Sequence, residues 1–108
     1  MFHLCLSVAE KLFRQIAQRC GAPDLALIPI GAYEPRWFMQ AAHMNPGEAV
    51  RTHRDCGARR SVAMHWGTFQ LTDEDREAPV RALADARSSA GLGPDEFQVP
   101  APGESVTV

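Results

Sequence analysis

Two uninterrupted apolar runs constrain the fold of this 108-residue sequence more than any other feature. The first covers residues 25–30, and the second covers residues 62–64 and leads directly into His65 and Gly67. Apolar runs without polar alternation are typical of strands covered on both faces in a parallel sheet. A helical pattern lies between them, and a strand–helix–strand order predicts parallel pairing with a right-handed connection. The sequence therefore predicts an α/β fold.

Three segments carry helix signals at both ends. Capping boxes of the type Ser/Asn-x-x-Glu predict the first two starts, and an acidic run at 73–75 with Pro79 predicts the third. Glycine predicts each end. The predicted helices run from Ser7 to Gly21, from Asn45 to Gly57, and from within 72–75 to Gly91. Residues 96–99 and 105–108 are short strand candidates.

Helical spacing also predicts which residues face inward. In the second helix the inward set comprises Ala49, Val50, His53 and Cys56. A histidine on such a face is more often a packed residue than a metal ligand. In the first helix the set comprises Leu12, Phe13, Ile16, Ala17 and Cys20.

Composition excludes several classes of protein. Hydrophobic residues make up 45% and charged residues 22%, which is typical of a globular domain, and a net charge of −2 gives no reason to expect nucleic acid. No apolar stretch approaches the roughly 20 residues that span a bilayer, and no signal peptide is indicated, so a cytoplasmic location is expected. Cys5, Cys20 and Cys56 form no C-x-x-C pair and are expected to be reduced and half-buried.

His65 is the first candidate for chemistry, because parallel sheets place functional groups where their strands end. Spacing alone leaves two interpretations of His65 open: it is either a structural histidine that makes one backbone hydrogen bond or a ligand of a metal ion. The loop at 31–44 is rich in large apolar side chains and forms either a cover for its own core or one wall of a pocket. No H-x-H motif, H-E-x-x-H motif or phosphate-binding glycine loop completes a site from local spacing.

Several motifs resemble the C-terminal part of metallo-β-lactamase-fold hydrolases close to N-acylphosphatidylethanolamine-hydrolysing phospholipase D. The resemblance extends from about Phe13 to the end of the chain. It rests on residues 24–39, His43, Asn45-Pro46, Glu48-Ala49, the MHWGTF stretch at 64–69 and the turn at 101–104.

The resemblance implies a four-layer αββα fold around a two-metal site that usually holds zinc. It makes His65 the last histidine ligand of one metal, with Tyr33, Trp37, Phe38 and His43 on the substrate side. The implied reaction is attack by a metal-bound hydroxide on a phosphodiester, such as that of a phospholipid-like substrate. A membrane-peripheral location would suit such a substrate.

The sequence departs from the family pattern at its N-terminal side. The family's H-x-H-x-D-H motif is absent, and the bridging aspartate would fall near Leu6, where residues 1–7 contain no aspartate. We therefore expect one partial domain over residues 1–108, with a divergent segment at 1–12 and about three helices on the sheet. The expected function is that of a C-terminal piece of a zinc hydrolase that is inactive alone and partners a missing N-terminal half-domain or itself. The alternative is a non-catalytic relic or association module that keeps the half-fold.

Overall fold

The structure is a computed structural model that describes residues 2–40, 42–70 and 72–107, with side chains from Lys11 onwards. Among these residues, no helix is both long enough and apolar enough to cross a bilayer. The elements in chain order are α1 (Phe2–Cys20), β1 (Leu25–Pro29), α2 (Arg36–Met39), α3 (Pro46–Asp55), β2 (Arg60–Met64), α4 (Ala78–Ala90) and β3 (Phe97–Gln98).

The three strands form one parallel sheet in the order β1-β2-β3, which confirms the predicted α/β class and the parallel pairing of the two apolar runs. Leu25 pairs with Arg60, and the register continues to Pro29 opposite Met64. Pro29 does not end the pairing, because the Ile30 N–H donates to the Met64 carbonyl at 3.1 Å.

The two faces of the sheet differ in what covers them. One face, which we call the closed face, packs against α3 and α4 around a core of Ile28, Ile30, Ala49, Val50, Ala63, Leu83 and Phe97. The other, the open face, carries Leu27, Val62 and Met64, and Leu27 is 62% exposed. The sequence predicts coverage of both faces only beside a second sheet and, without that sheet, an apolar face that stays exposed on the side away from the helices. The exposure of Leu27 and Met64 agrees with this expectation.

Helix α3 follows its sequence signals closely. Asn45 accepts a hydrogen bond from the Glu48 N–H, and the Glu48 side chain accepts one from the Asn45 N–H, so the predicted capping box is present. Ala49, Val50 and His53 are buried as predicted. The His53 Nδ1 lies 2.6 Å from Ser61 Oγ on the neighbouring strand, which makes His53 a packed histidine.

Helix α1 corrects two predictions. It begins at Phe2, so the Ser7 capping box lies inside the helix, where Ser and Glu are tolerated when the flanking residues also favour helix. Its predicted inward face is also wrong in part, because Leu12 is 50% and Ile16 41% exposed and Cys20 is exposed, whereas Phe13 and Ala17 are half-buried. Of the cysteines expected to be half-buried, Cys20 is exposed and Cys56 is buried. The side chain of Cys5 lies outside the described residues.

The C-terminal third also differs from expectation. Helix α4 begins at Ala78 instead of within 72–75, with Pro79 in its first turn as predicted. It ends at Ala90, and Gly91 caps it in the left-handed conformation with φ 73°. The strand at 96–99 shortens to Phe97–Gln98, and residues 105–107 form no strand. Val108 lies outside the described residues.

Candidate functional site

His65 lies directly after β2 in an unusual backbone conformation. Its φ is 60°, in the left-handed region that non-glycine residues rarely adopt. A Cβ atom added to Gly31, at the end of β1, would lie 2.1 Å from the His65 carbonyl oxygen, so the chain can make this turn only beside a glycine. Backbone strain of this kind persists where surrounding contacts fix it, and it concentrates at functional sites.

His43 reaches the same place from the loop between β1 and α3. Its ring centroid lies 5.5 Å from that of His65, at an interplanar angle of 36°. Arg36 holds this loop, because one guanidinium nitrogen donates to the Tyr33 carbonyl at 3.2 Å and to the His43 carbonyl at 3.1 Å. The other terminal nitrogen pairs with Glu48 at 2.5 Å, which ties the loop to the start of α3.

A cleft of about 440 Å³ opens beside the two histidine rings. His65 also borders an adjoining hollow of about 130 Å³, together with Trp66, Glu74 and Arg76. The cleft is lined by Ala32, Glu34, Pro35, Phe38, Met39, His43, His65, Thr72 and Asp73. It therefore combines two imidazoles, an apolar wall and two carboxyl groups.

The structure brings together three of the five residues predicted for the site. His65, His43 and Phe38 border the cleft, whereas Tyr33 is buried at 7% exposure and Trp37 is 73% exposed. Neither Tyr33 nor Trp37 lines the cleft, although the Trp37 ring packs edge-on against Phe38 with centroids 5.7 Å apart. The substrate contacts expected of these residues and the metal-ligand role of His65 stay predictions.

Glu74 is a residue of this site that its sequence pattern did not reveal. Its carboxylate accepts backbone N–H groups from Ala32 at 3.2 Å, Tyr33 at 3.1 Å and Glu34 at 2.8 Å, and it also accepts from Thr72 Oγ1. Partial burial by itself would raise the pKa of Glu74, but the hydrogen bonds from Thr72 and from the backbone outweigh it and hold the pKa below the usual glutamate range.

The sequence predicts a helix-start role for the acidic run at 73–75, and only Asp75 has that role. Asp75 Oδ1 accepts the N–H groups of Glu77 and Ala78 at the start of α4, and Asp75 Oδ2 pairs with Arg81 at 2.9 Å. A hydrogen bond from Arg81 is the main cause of the lowered pKa of Asp75. Sequence spacing could not separate these neighbours, because the partners of Glu74 lie some forty positions earlier in the chain.

The donor set at the cleft supports part of a metal centre. A hydrolytic zinc site uses three protein ligands and one open position, and histidine nitrogen is a suitable ligand. Among residues 11–40, 42–70 and 72–107, whose side chains are described, no three His, Cys, Asp or Glu side chains group closely enough to hold a metal ion. His65 can thus serve as one ligand, and these side chains alone do not complete a catalytic metal site.

Comparison with known proteins finds one family match and several relatives that are named as hydrolases. A beta-lactamase superfamily domain matches residues 8–66. N-acyl-phosphatidylethanolamine-hydrolyzing phospholipase D 1 of Caenorhabditis elegans is 49% identical over 79 residues, which are 69% of this chain and 22% of that protein. The mitochondrial N-acyl-phosphatidylethanolamine-hydrolyzing phospholipase D of Saccharomyces cerevisiae is 42% identical over 66 residues, covering 60% of this chain and 14% of that protein. A UPF0173 metal-dependent hydrolase of Rubrobacter xylanophilus is 41% identical over 64 residues, which are 56% of this chain and 23% of that protein. The chain spans less than a quarter of the length of each of these relatives.

Proposed function

The chain belongs to the β-lactamase superfamily and carries part of a metallo-β-lactamase fold, and on this premise we propose that it forms the His65 side of a metal-dependent hydrolase site. The observation that carries the proposal is the meeting of the His43 and His65 rings at one cleft where two parallel strands end. Ligand sites in open α/β sheets lie at the carboxyl ends of the strands. A relative named as a metal-dependent hydrolase supports the same reaction class.

The substrate we propose is a phosphodiester of phospholipid type. The names of the Caenorhabditis and Saccharomyces relatives support it, and so does a cleft lining that contains both polar and apolar side chains. Pro35, Phe38 and Met39 supply an apolar wall that suits an acyl chain. We propose that the His43 ring, which borders the cleft, donates a hydrogen bond to a phosphate oxygen. A substrate of this kind would bring the protein to the periphery of a membrane.

We propose zinc as the metal, with the His65 imidazole as one ligand and the remaining ligands supplied by a partner half-domain. In such sites a zinc ion supplies a Lewis acid and a bound water of lowered pKa. The part of this chain is to orient the imidazole. The left-handed backbone of His65 beside Gly31 limits the directions that its side chain can take, and the His43 ring of the 31–44 loop lies beside the imidazole.

A second candidate function is that of an association module without catalysis. The open face favours it, because Leu27 and Met64 are 62% and 43% exposed, and Leu12 and Ile16 add exposed apolar area on α1. Contiguous exposed apolar patches mark interaction surfaces. The partner would be another half-domain or a second copy of the chain.

A chimera separates the two candidates. The matching segment of the Caenorhabditis relative is replaced with that of this chain, and hydrolysis of N-acylphosphatidylethanolamine is measured with zinc present. We expect activity in the chimera and a loss of more than about a hundredfold in its His65→Ala variant, since even the outer partners of metal ligands account for about tenfold to a hundredfold. His43→Ala should lower activity by a smaller factor, and Asp95→Ala, an exposed change, should leave it unchanged. A His65→Ala chimera as active as its parent would contradict the hydrolase proposal and favour the association module.

A further inference from the structure

The two loops that border the cleft are both tied to one short segment, residues 72–76. On one side, the Glu74 carboxylate accepts three consecutive backbone N–H groups of the loop after β1, and the Asp73 N–H donates to the Glu34 carbonyl at 3.2 Å. On the other side, the Arg76 guanidinium donates to the Gly67 carbonyl at 2.9 Å and 2.6 Å, which holds the loop after β2. The segment itself is attached to the start of α4 by Asp75.

We propose that Glu74 is a positioning residue for the cleft: by gathering the N–H groups of Ala32, Tyr33 and Glu34, it sets the spacing between the loop that carries His43 and the loop that carries His65. Its effect on the loop follows from the geometry alone, whereas its effect on catalysis rests on the proposed function.

Backbone strain makes this role necessary. Ala32 is, with His65, one of two described non-glycine residues with positive φ, at 62°. A left-handed conformation is unfavourable for an L-residue, and it persists only where surrounding contacts hold it. The Ala32 N–H donates to Glu74 Oε2, so the carboxylate holds the strained residue directly. The two strained residues border both the cleft and the adjoining hollow.

A carboxylate is the side chain that these donors require. An ionised glutamate is acceptor-only, with about four lone-pair sites on its two oxygens. Oε1 receives Tyr33 and Glu34, and Oε2 receives Ala32 and the Thr72 hydroxyl. Glutamine at this position would replace one of the two oxygens with an NH₂ group. That group is a donor, so it could not accept the N–H groups that the lost oxygen accepts. Glu74→Gln therefore removes the arrangement while it keeps the length and shape of the side chain.

Hydrogen exchange measured by NMR on the 108-residue chain tests the proposal without metal or activity. We expect the amides of Ala32, Tyr33 and Glu34 to be protected in the parent chain and to exchange at least about tenfold faster in Glu74→Gln, as in a local opening. The Ser61 amide, which donates to the Glu96 carbonyl at 2.8 Å, is the internal reference and should keep its rate. Glu77→Gln makes the same change of charge at an exposed neighbour and should leave all four amides unchanged.

Equal protection of the three loop amides in the parent and Glu74→Gln would overturn the proposal. Equal acceleration of Ser61 and the loop would also overturn it, because Glu74 would then support the whole fold. If Glu74→Gln fails to fold, Glu74→Asp decides the matter. The shorter side chain keeps the charge but cannot reach all three donors, so the loop amides should exchange faster than in the parent while Ser61 does not.

The chimera tests the effect on catalysis. Glu74→Gln should lower kcat by about tenfold to a hundredfold with little change in KM, the size expected for an outer partner of a site residue, and Glu74→Asp should restore part of it. Accelerated loop exchange with an unchanged kcat would overturn the positioning role and leave the proposed function intact. The proposed function fails separately, if His65→Ala keeps full activity.

Discussion

Leu27 and Ile28 are neighbours of similar size and apolarity, yet Ile28 is 3% exposed on the closed face and Leu27 is 62% exposed on the open face. Successive side chains of a strand point to opposite sides of the sheet, so each apolar run supplies both faces equally. The difference arises from what packs against each face, because α3 and α4 cover one and no described element fully covers the other. An apolar sequence thus indicates which side chains of a strand can be buried. Whether they are buried depends on the elements that pack against each face of the sheet.

Ile28→Ala and Leu27→Ala form the most direct test of this contrast. Ile28→Ala should lower the free energy of unfolding by about 2–5 kcal/mol, because it leaves a cavity in the core. Leu27→Ala should change it by less than about 0.5 kcal/mol, as is usual for an exposed position. Urea denaturation of the two variants, at a chain concentration low enough for the parent to sediment as a monomer, measures both values. Similar losses in the two would show that the open face is covered in solution.

A smaller effect is expected from Asn45→Ala at the start of α3, one of the helices that cover the closed face. The variant loses the side-chain acceptor for the Glu48 N–H, and we expect a loss of about 1 kcal/mol by thermal or urea denaturation. Asn45→Asp keeps an acceptor and is the control. A loss in Asn45→Asp as large as that in Asn45→Ala would mean that the capping bond is not the cause.

His53, which is buried beside the closed face, should make the free energy of unfolding depend on pH. Burial lowers the pKa of His53, and Arg54 lowers it further while Glu96 opposes the change. The unfolded chain then binds the proton more tightly than the folded chain, so the free energy of unfolding should fall as pH falls through the ordinary histidine range. Urea midpoints at about pH 7 and about pH 5 measure this effect. His53→Gln should show a weaker dependence over that interval, and an unchanged dependence would assign it to other groups.

Substitutions on the open face should have little effect on the free energy of unfolding and a clear effect on self-association. The parent chain should self-associate in sedimentation velocity at tens of micromolar, because the open face and α1 expose apolar side chains. Leu27→Ser combined with Met64→Ser should shift it towards monomer, with almost no change in the urea midpoint measured at a concentration where the parent is also monomeric. A parent chain that sediments as a monomer would contradict the expectation.

Local signals in the sequence predicted most of the elements near the closed face. The Asn45 capping box, Pro79 in a first turn and the glycine end of α4 all involve partners a few residues away, so their patterns are visible in sequence. The parallel pairing of β1 and β2 followed from their order along the chain. The family resemblance, confirmed by the comparisons, identified His65 and His43 as site candidates.

What spacing could not predict depends on contacts between distant segments. The burial of Tyr33, the exposure of Leu12 and the capture of three loop N–H groups by Glu74 are set by where the loops pack. Glu74 lies in a run of three acidic residues, and nothing in that run distinguishes it from Asp75, which caps a helix instead. The periodicity of apolar residues describes one helix or strand at a time, whereas each of these features depends on a contact between two segments of the chain.

The contact between Gly31 and the His65 carbonyl has a consequence for mutational screening. In a library that varies both positions and is selected for folding alone, position 31 should return glycine, because any Cβ there meets the carbonyl of residue 65. Position 65 should return residues that accept positive φ, with Gly and Asn at least as frequent as His. If histidine is enriched at position 65 only under selection for hydrolysis, the imidazole is needed for activity, whereas the backbone conformation alone does not require it.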